Sequence, residues 1–121
     1  MSVMNTAQLD LIEKFLDLAT ERQSLLVSNI ANVDTPGYRT KDIDFYGEYA
    51  RLLNQEPGAP VLTMARQVNG LVSRPDGNNV SVDREGLLLA ELQLKYQAAI
   101  HAMRAEFAML KSAISEGREG I

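Results

Sequence analysis

Apolar side chains recur in steps of three and four at both ends of the chain. Near the start, Leu9, Ile12, Leu16, Ala19, Leu26 and Ile30 keep such a stripe for about three heptads, interrupted by Gln23. Glu13, Lys14, Asp17, Arg22 and Ser24 fall off it, and no Pro or Gly breaks residues 6–32. This spacing predicts one long helix over about Thr6 to Asn32. The last third shows a second stripe: Leu92, Tyr96, Ala99, Met103, Phe107, Leu110 and Ile114. Its eleven-residue step from Ala99 to Leu110 drifts from a strict heptad, which favours a straighter or right-handed coil. Asp83 is the expected N-cap, Glu85 suits the positive end of the helix dipole, and Glu91 and Lys95 stand at i,i+4. Gly117 and Gly120 are the expected end.

The stretch between the helices has another character and holds all four prolines. In Asp34-Thr35-Pro36-Gly37-Tyr38, Pro36 and Gly37 are the central residues of a type II turn. Asn32 before it is a candidate left-handed helix cap, and Asn29 offers a second amide to the loop. Asp44 is placed to cap a short helix with Phe45, Tyr49, Leu52 and Leu53 on one face, broken at Glu56-Pro57-Gly58-Ala59-Pro60. Residues 61–72 suit a short extended piece. Asp76-Gly77-Asn78-Asn79 is a turn signal, followed by the alternating Val80-Ser81-Val82. The expectation is an all-α fold: two long terminal helices packed as a coiled-coil-like pair, joined by a largely irregular middle with a short helix or strand. Residues 1–121 then make one domain, divided into an N-terminal helix (1–33), an irregular middle (34–82) and a C-terminal helix (83–121). The two stripes suit each other, and suit neighbouring chains equally.

Composition narrows the chemistry. Of 121 residues 45% are hydrophobic but only 6% aromatic, with no tryptophan, which suits helix-on-helix packing by Leu, Ile, Ala and Met. Sixteen acidic against twelve basic residues give a net charge of −4 with no basic block, unsuited to nucleic acid or an anionic membrane surface. No cysteine supplies a disulfide, thiolate ligand or thiol nucleophile. The first ten residues lack the charged and apolar regions of a Sec-type signal peptide. His101 is the only histidine and belongs on a solvated helix face, so no metal site or Ser–His–acid set is expected. Asp42 and Asp44 are read as solvated or capping loop acids, and Gly70 and Gly77 form no phosphate cradle. No catalytic, cofactor-binding or metal residues and no small-molecule substrate are expected.

Two stretches are informative as motifs. Ser28-Asn29-Ile30-Ala31-Asn32-Val33-Asp34-Thr35-Pro36-Gly37-Tyr38-Arg39 resembles the N-terminal signature of flagellar axial proteins, the rod, hook and hook-associated subunits. Asn29, Asn32, Thr35, Pro36, Gly37 and Tyr38 carry that likeness. Its continuation through Phe45, with Asp76 to Glu85 and Leu94-Lys95-Tyr96-Gln97-Ala98, is similar to the FlgB-type family of proximal rod subunits. The likeness runs in order along nearly the whole chain and is weakest over residues 58–75.

The resemblance implies a structural subunit without enzymatic activity. It further implies export by the flagellar type III apparatus without a Sec signal, from the cytoplasm into the periplasmic rod of the basal body. Implied partners are the FlgC and FlgF types of rod subunit, the FliE type of rod-base adaptor, copies of the chain itself, the export gate and the inner-membrane ring. Phe45 and Tyr49 resemble the Phe-x-x-x-hydrophobic element by which rod and hook substrates meet the export gate, with Tyr49 where an aliphatic residue is commoner. The stripes, represented by Leu9, Ile12, Leu16, Leu26 and Ile30 and by Leu92, Tyr96, Met103, Phe107, Leu110 and Ile114, become the assembly seams. The alternative of another class is a cytoplasmic helical secretion chaperone or adaptor, disfavoured by the Pro-Gly turn and the irregular middle of about fifty residues.

Overall fold

A computed structural model describes residues 2–56 and 63–119. Helix α1 spans Ser2–Ala31 and helix α3 spans Val82–Glu119, with the short helix α2, Phe45–Leu53, between them. Strands β1, Lys41–Asp42, and β2, Arg66–Gln67, form a two-residue antiparallel ladder in which Lys41 faces Gln67 and Asp42 faces Arg66. The fold is all-α in substance, with the terminal helices packed on each other and an irregular middle.

The terminal helices run antiparallel. Asn29, near the end of α1, bonds Glu85, at the start of α3, and the Gln8 amide meets the Glu106 carboxylate at 2.5 and 2.9 Å. Both pairs obey one register, since the residue numbers of facing partners sum to the same value. The core lies where α2 and β1 lean on this pair: Leu18, Ala19 and Leu26 of α1, Ile43, Phe45 and Leu52 of the middle, and Leu92 of α3. Phe15, Leu25, Tyr49, Leu88, Leu89 and Tyr96 pack around it. Phe15 meets Phe45 and Tyr49 edge-on, at centroid distances of 5.2 and 5.5 Å.

The core face of α1 is rotated from the sequence stripe. Leu18, off the stripe, is fully buried, while Leu9, Ile12, Leu16 and Ile30 are half-buried and Gln23 is exposed. A seam drawn for two helices misses α2, which draws the neighbouring flank of α1 inward. Lys14, expected off the stripe in solvent, is buried on that flank. Its ammonium donates to the carbonyls of Leu52, Gln55 and Glu56 at 3.1, 3.2 and 3.5 Å, and pairs with Asp10 at 3.1 Å. A cation there meets the negative end of α2 and satisfies carbonyls that the helix cannot. At the other end Asp44 caps α2 as expected, accepting from Gly47 N at 3.3 Å.

Local expectations fail in instructive places. Helix α1 starts a turn before Thr6, because nothing in residues 2–5 opposes a helix. Asn32 has no positive φ; its amide donates back to Ser28 O at 2.8 Å instead. Ser81, not Asp83, caps α3: Arg84 N donates to Ser81 Oγ at 3.3 Å and Glu85 N to Ser81 O at 2.9 Å. Val80-Ser81-Val82 is therefore the helix start and no strand. Gly117 lies inside α3, with φ outside the left-handed region that a C-cap glycine needs. Gly120, residues 57–60 of the expected break and residues 61–62 of the expected extended piece lie outside the described residues; β2 falls within the rest of that piece. Lys95 turns from Glu91 to Tyr46, donating to its hydroxyl at 2.8 Å with the ammonium 4.9 Å from the ring centroid.

Burial sets the first expected outcome. Leu18→Ala should cost about 2–5 kcal/mol by opening a cavity among Leu26, Phe45 and Leu52. Leu94→Ala, on an exposed face of α3, should stay within about 0.5 kcal/mol. Urea unfolding followed by circular dichroism measures both.

Candidate functional site

The two motif stretches, some forty residues apart in sequence, meet at one end of the helix pair. The junction is built on Asn29, which is fully buried. Its amide nitrogen donates to Lys41 O at 2.8 Å and to Glu85 Oε2 at 3.0 Å. Its oxygen accepts from Lys41 N at 3.1 Å and from the Tyr38 hydroxyl at 3.0 Å. Two donors and two acceptor sites are all an Asn side chain has, and all are used. The amide thus treats β1 as a neighbouring strand would, and ties α1, the loop and α3 at one point.

Asn78 does the same on the other side of the turn. From a fully buried position its amide nitrogen donates to Asn32 O at 2.9 Å and Thr35 O at 2.8 Å, and its oxygen accepts from Val80 N at 2.8 Å. The Asn32 carbonyl, which accepts from Thr35 N at 3.1 Å just past the end of α1, takes its second bond from the second motif. Asn79 accepts from Thr40 N at 2.6 Å, and its backbone N–H donates to Tyr38 O at 3.3 Å. Its own amide nitrogen is buried without a partner among the described residues.

Between them sits the Pro36-Gly37 turn. Tyr38 N donates to Thr35 O at 3.2 Å, and Gly37 has φ +75°, as a type II turn requires. Gly37 N donates onward to Asp76 O at 2.9 Å, which brings Gly77, with φ +86°, against it. A Cβ at Gly77 would stand 3.5 Å from Gly37 Cα. Arginines close the edges. Arg74 donates to Val80 O at 2.9 Å and to Val33 O, and Arg39 to Ser73 Oγ at 2.6 Å and Gly77 O at 3.0 Å. Arg84 pairs with the fully buried Glu85 at 2.7 Å, and Arg22 holds Asp42 through two bonds of 3.0 and 3.1 Å.

The structure thus joins Asn29, Asn32, Thr35, Gly37 and Tyr38 in one hydrogen-bonded corner and leaves Pro36 exposed on it. Phe45 and Tyr49 lie elsewhere, on α2. Phe45 is only 4% exposed and packs on Phe15, and the Tyr49 hydroxyl donates to Leu11 O at 3.3 Å. Partial burial raises the Tyr49 pKa above the usual tyrosine value. Of the seam residues, Leu26 and Leu92 are buried, Tyr96, Met103 and Leu110 half-buried, and Phe107 and Ile114 each 54% exposed. Sequence reasoning passed over Arg74, left Lys14 off the stripe, read Asn78 and Asn79 only as a turn signal within the second motif, and gave Glu85 only a dipole role. The Asn-Asn pair after a glycine was the visible signal, since such a turn exposes amides with nowhere local to bond.

The corner can hold chain segments at a fixed angle. Among the described residues no three His, Cys, Asp or Glu side chains gather as metal ligands, and no helix is long and apolar enough to cross a membrane. His101 and Gln97 are both exposed on α3.

Two outcomes follow from this geometry. Asn29→Ala strands two acceptors and two donors, of which the Glu85 carboxylate is fully buried, at about 1–3 kcal/mol for each that finds no water. Asn29→Asp keeps the shape but should do no better, because it sets a carboxylate beside Glu85; chemical denaturation ranks the three proteins. The second concerns Tyr49. A raised folded-state pKa means the folded chain holds its proton where the unfolded chain has lost it, so stability falls as pH rises through about 10. Tyr49→Phe removes that titration, and its stability should fall less steeply between pH 9 and 11.

No family model matches the chain. Curated relatives do. The flagellar basal body rod protein FlgB of Yersinia enterocolitica is 32% identical over 125 residues, covering 87% of this chain and 91% of the relative. That of Salmonella typhimurium is 31% identical over the same shares. That of Bacillus subtilis is 33% identical over 123 residues, covering 88% of this chain and 92% of its own.

Proposed function

Because the chain belongs to the FlgB family of flagellar basal body rod proteins, we propose that it is exported by the flagellar type III apparatus and assembled as a subunit of the proximal, periplasmic part of the rod. Residues 1–121 act there as one structural domain. Its partners are rod subunits of the FlgC and FlgF types, the FliE type of rod-base adaptor, further copies of itself, the export gate and the inner-membrane ring. The role is mechanical: the helices transmit load along the rod, and the corner built on Asn29 and Asn78 fixes the angle at which the loop leaves them.

The observation that carries this reading is the apolar surface that the subunit leaves bare along α3. Leu87, Leu94, Phe107, Met109 and Ile114 are all more than half exposed, on more than one side of the helix. Scattered single apolar residues need no explanation, but a repeated series along a 38-residue helix does. Burial against neighbouring helices supplies one, as in any bundle of packed helices.

Export belongs to a different state of the same chain. Phe45 and Tyr49 would meet the gate before the subunit folds, since folding puts Phe45 in the core. Phe45→Ala should therefore give a several-fold drop in secreted protein in a strain unable to build beyond the rod. Leu52→Ala, equally buried in the same core, controls for loss of folding and should leave secretion unchanged. Equal secretion of Phe45→Ala and the parent chain would remove Phe45 from recognition. A chain absent from purified basal bodies would count against the rod assignment itself.

A further inference from the structure

Helix α3 outruns its partner. In the register set by Asn29 with Glu85 and Gln8 with Glu106, the first residue of α1 stands opposite residue 112, and α3 continues to Glu119. Phe107 and Ile114 are exposed in this distal part, seven residues apart, and Arg104 and Lys111, also exposed and seven apart, flank them. Helix α1 carries the matching pattern on the flank turned from α2. Leu16 lies two positions from Lys14 and from Leu18, about 200° round the helix, so it faces away from the α2 side. Leu9 and Leu16, half-buried and seven residues apart, are bordered by exposed Glu13, Asp17 and Glu21. None of these five charged residues takes part in an ion pair among the described residues.

From this we infer that the distal part of α3 docks antiparallel on the outer flank of α1 of a second copy of this chain, a contact that rests on the rod assignment. One register brings all of them together. With Leu9 opposite Ile114 of the second copy and Leu16 opposite Phe107, Lys111 falls within one position of Glu13, and Arg104 falls between Asp17 and Glu21. Apolar residues at seven-residue spacing form the seam, and the opposed charges beside it select partner and direction. This register is shifted by nine residues, about 14 Å, from the pairing within one copy. The flank used on α1 differs from the patch used on α3, so each copy has both halves free for the next, and the contact is staggered and propagates.

The chain has no cysteine, so introduced ones report alone. Glu13→Cys combined with Lys111→Cys should give oxidised dimers and higher multimers in purified basal bodies. Either substitution alone should leave monomer. Within one copy the two positions are about ten residues out of register, roughly 15 Å along the helices, beyond the ~7 Å Cα reach of a disulfide. A doubly substituted chain that enters basal bodies yet stays monomeric on oxidation overturns the contact while leaving the rod assignment standing. Charge reversal decides independently, should the cysteine chain fail to assemble. Lys111→Glu should lower incorporation about two- to fivefold, the range of an exposed ion pair, and adding Glu13→Lys should restore it. A single reversal without effect, or a double reversal without rescue, overturns the contact. Absence of the unsubstituted chain from basal bodies would instead refute the rod assignment.

Discussion

The Asn29 side chain makes four hydrogen bonds from a fully buried position, and the arrangement of the molecule hangs on them. An amide buried without partners costs several kcal/mol, so burial is tolerable only if Lys41, Tyr38 and Glu85 all arrive together. Lys41 positions β1, Tyr38 positions the Pro36-Gly37 turn, and Glu85 sets the azimuth and height of α3 against α1. Once those are placed, Ile43 and Phe45 follow β1 into the core, and α2 can only lie where Lys14 receives its carbonyls. Specificity here comes from polar groups and stability from the apolar cluster beside them. Hydrophobic burial alone tolerates sliding of one helix along another; a four-bonded amide does not.

The long helices were legible because period is a local property, and stripes of Leu, Ile and Ala show it without reference to partners. The turn at Pro36-Gly37 was legible for the same reason, as was the Asp44 cap. What the sequence hid was orientation about the helix axis. The stripe through Leu9, Leu16 and Gln23 and the face through Leu18, Arg22 and Asn29 both have helical spacing, and only α2 decides which goes inward. Lys14 and Glu85 were hidden more deeply. A charged residue reads as solvent-facing until the chain brings carbonyls or an amide to it from about forty or more positions away. Asp83 was the expected cap, but the Asn78–Asn79 bonds to the turn fix where α3 begins and leave that place to Ser81.

The corner and the helix shafts divide the labour by composition. Near the turn, side chains are small or polar, backbones approach closely at Gly37 and Gly77, and carbonyls left over by one segment are answered by another. Along the shafts the inward contacts are apolar and the outward ones are unfinished, with Leu94, Phe107 and Ile114 still in water. A shape that is rigid at one end and adhesive along its length is suited to being stacked.

The pairing of the first element with the last also bears on time. Asn29 and Glu85 are separated by 56 positions, and their bond ties the end of α1 to the start of α3. Docking of α3 therefore waits on closure of a long loop, whose entropy is lost before that contact rewards it. High mean separation between contacting residues slows folding. During synthesis α1 emerges first, meets β1 and α2 next, and gains its long partner only with the final third of the chain. Until that helix arrives, the core lacks Leu92 and Asn29 lacks the carboxylate of Glu85, so the last element made is the one that completes the first.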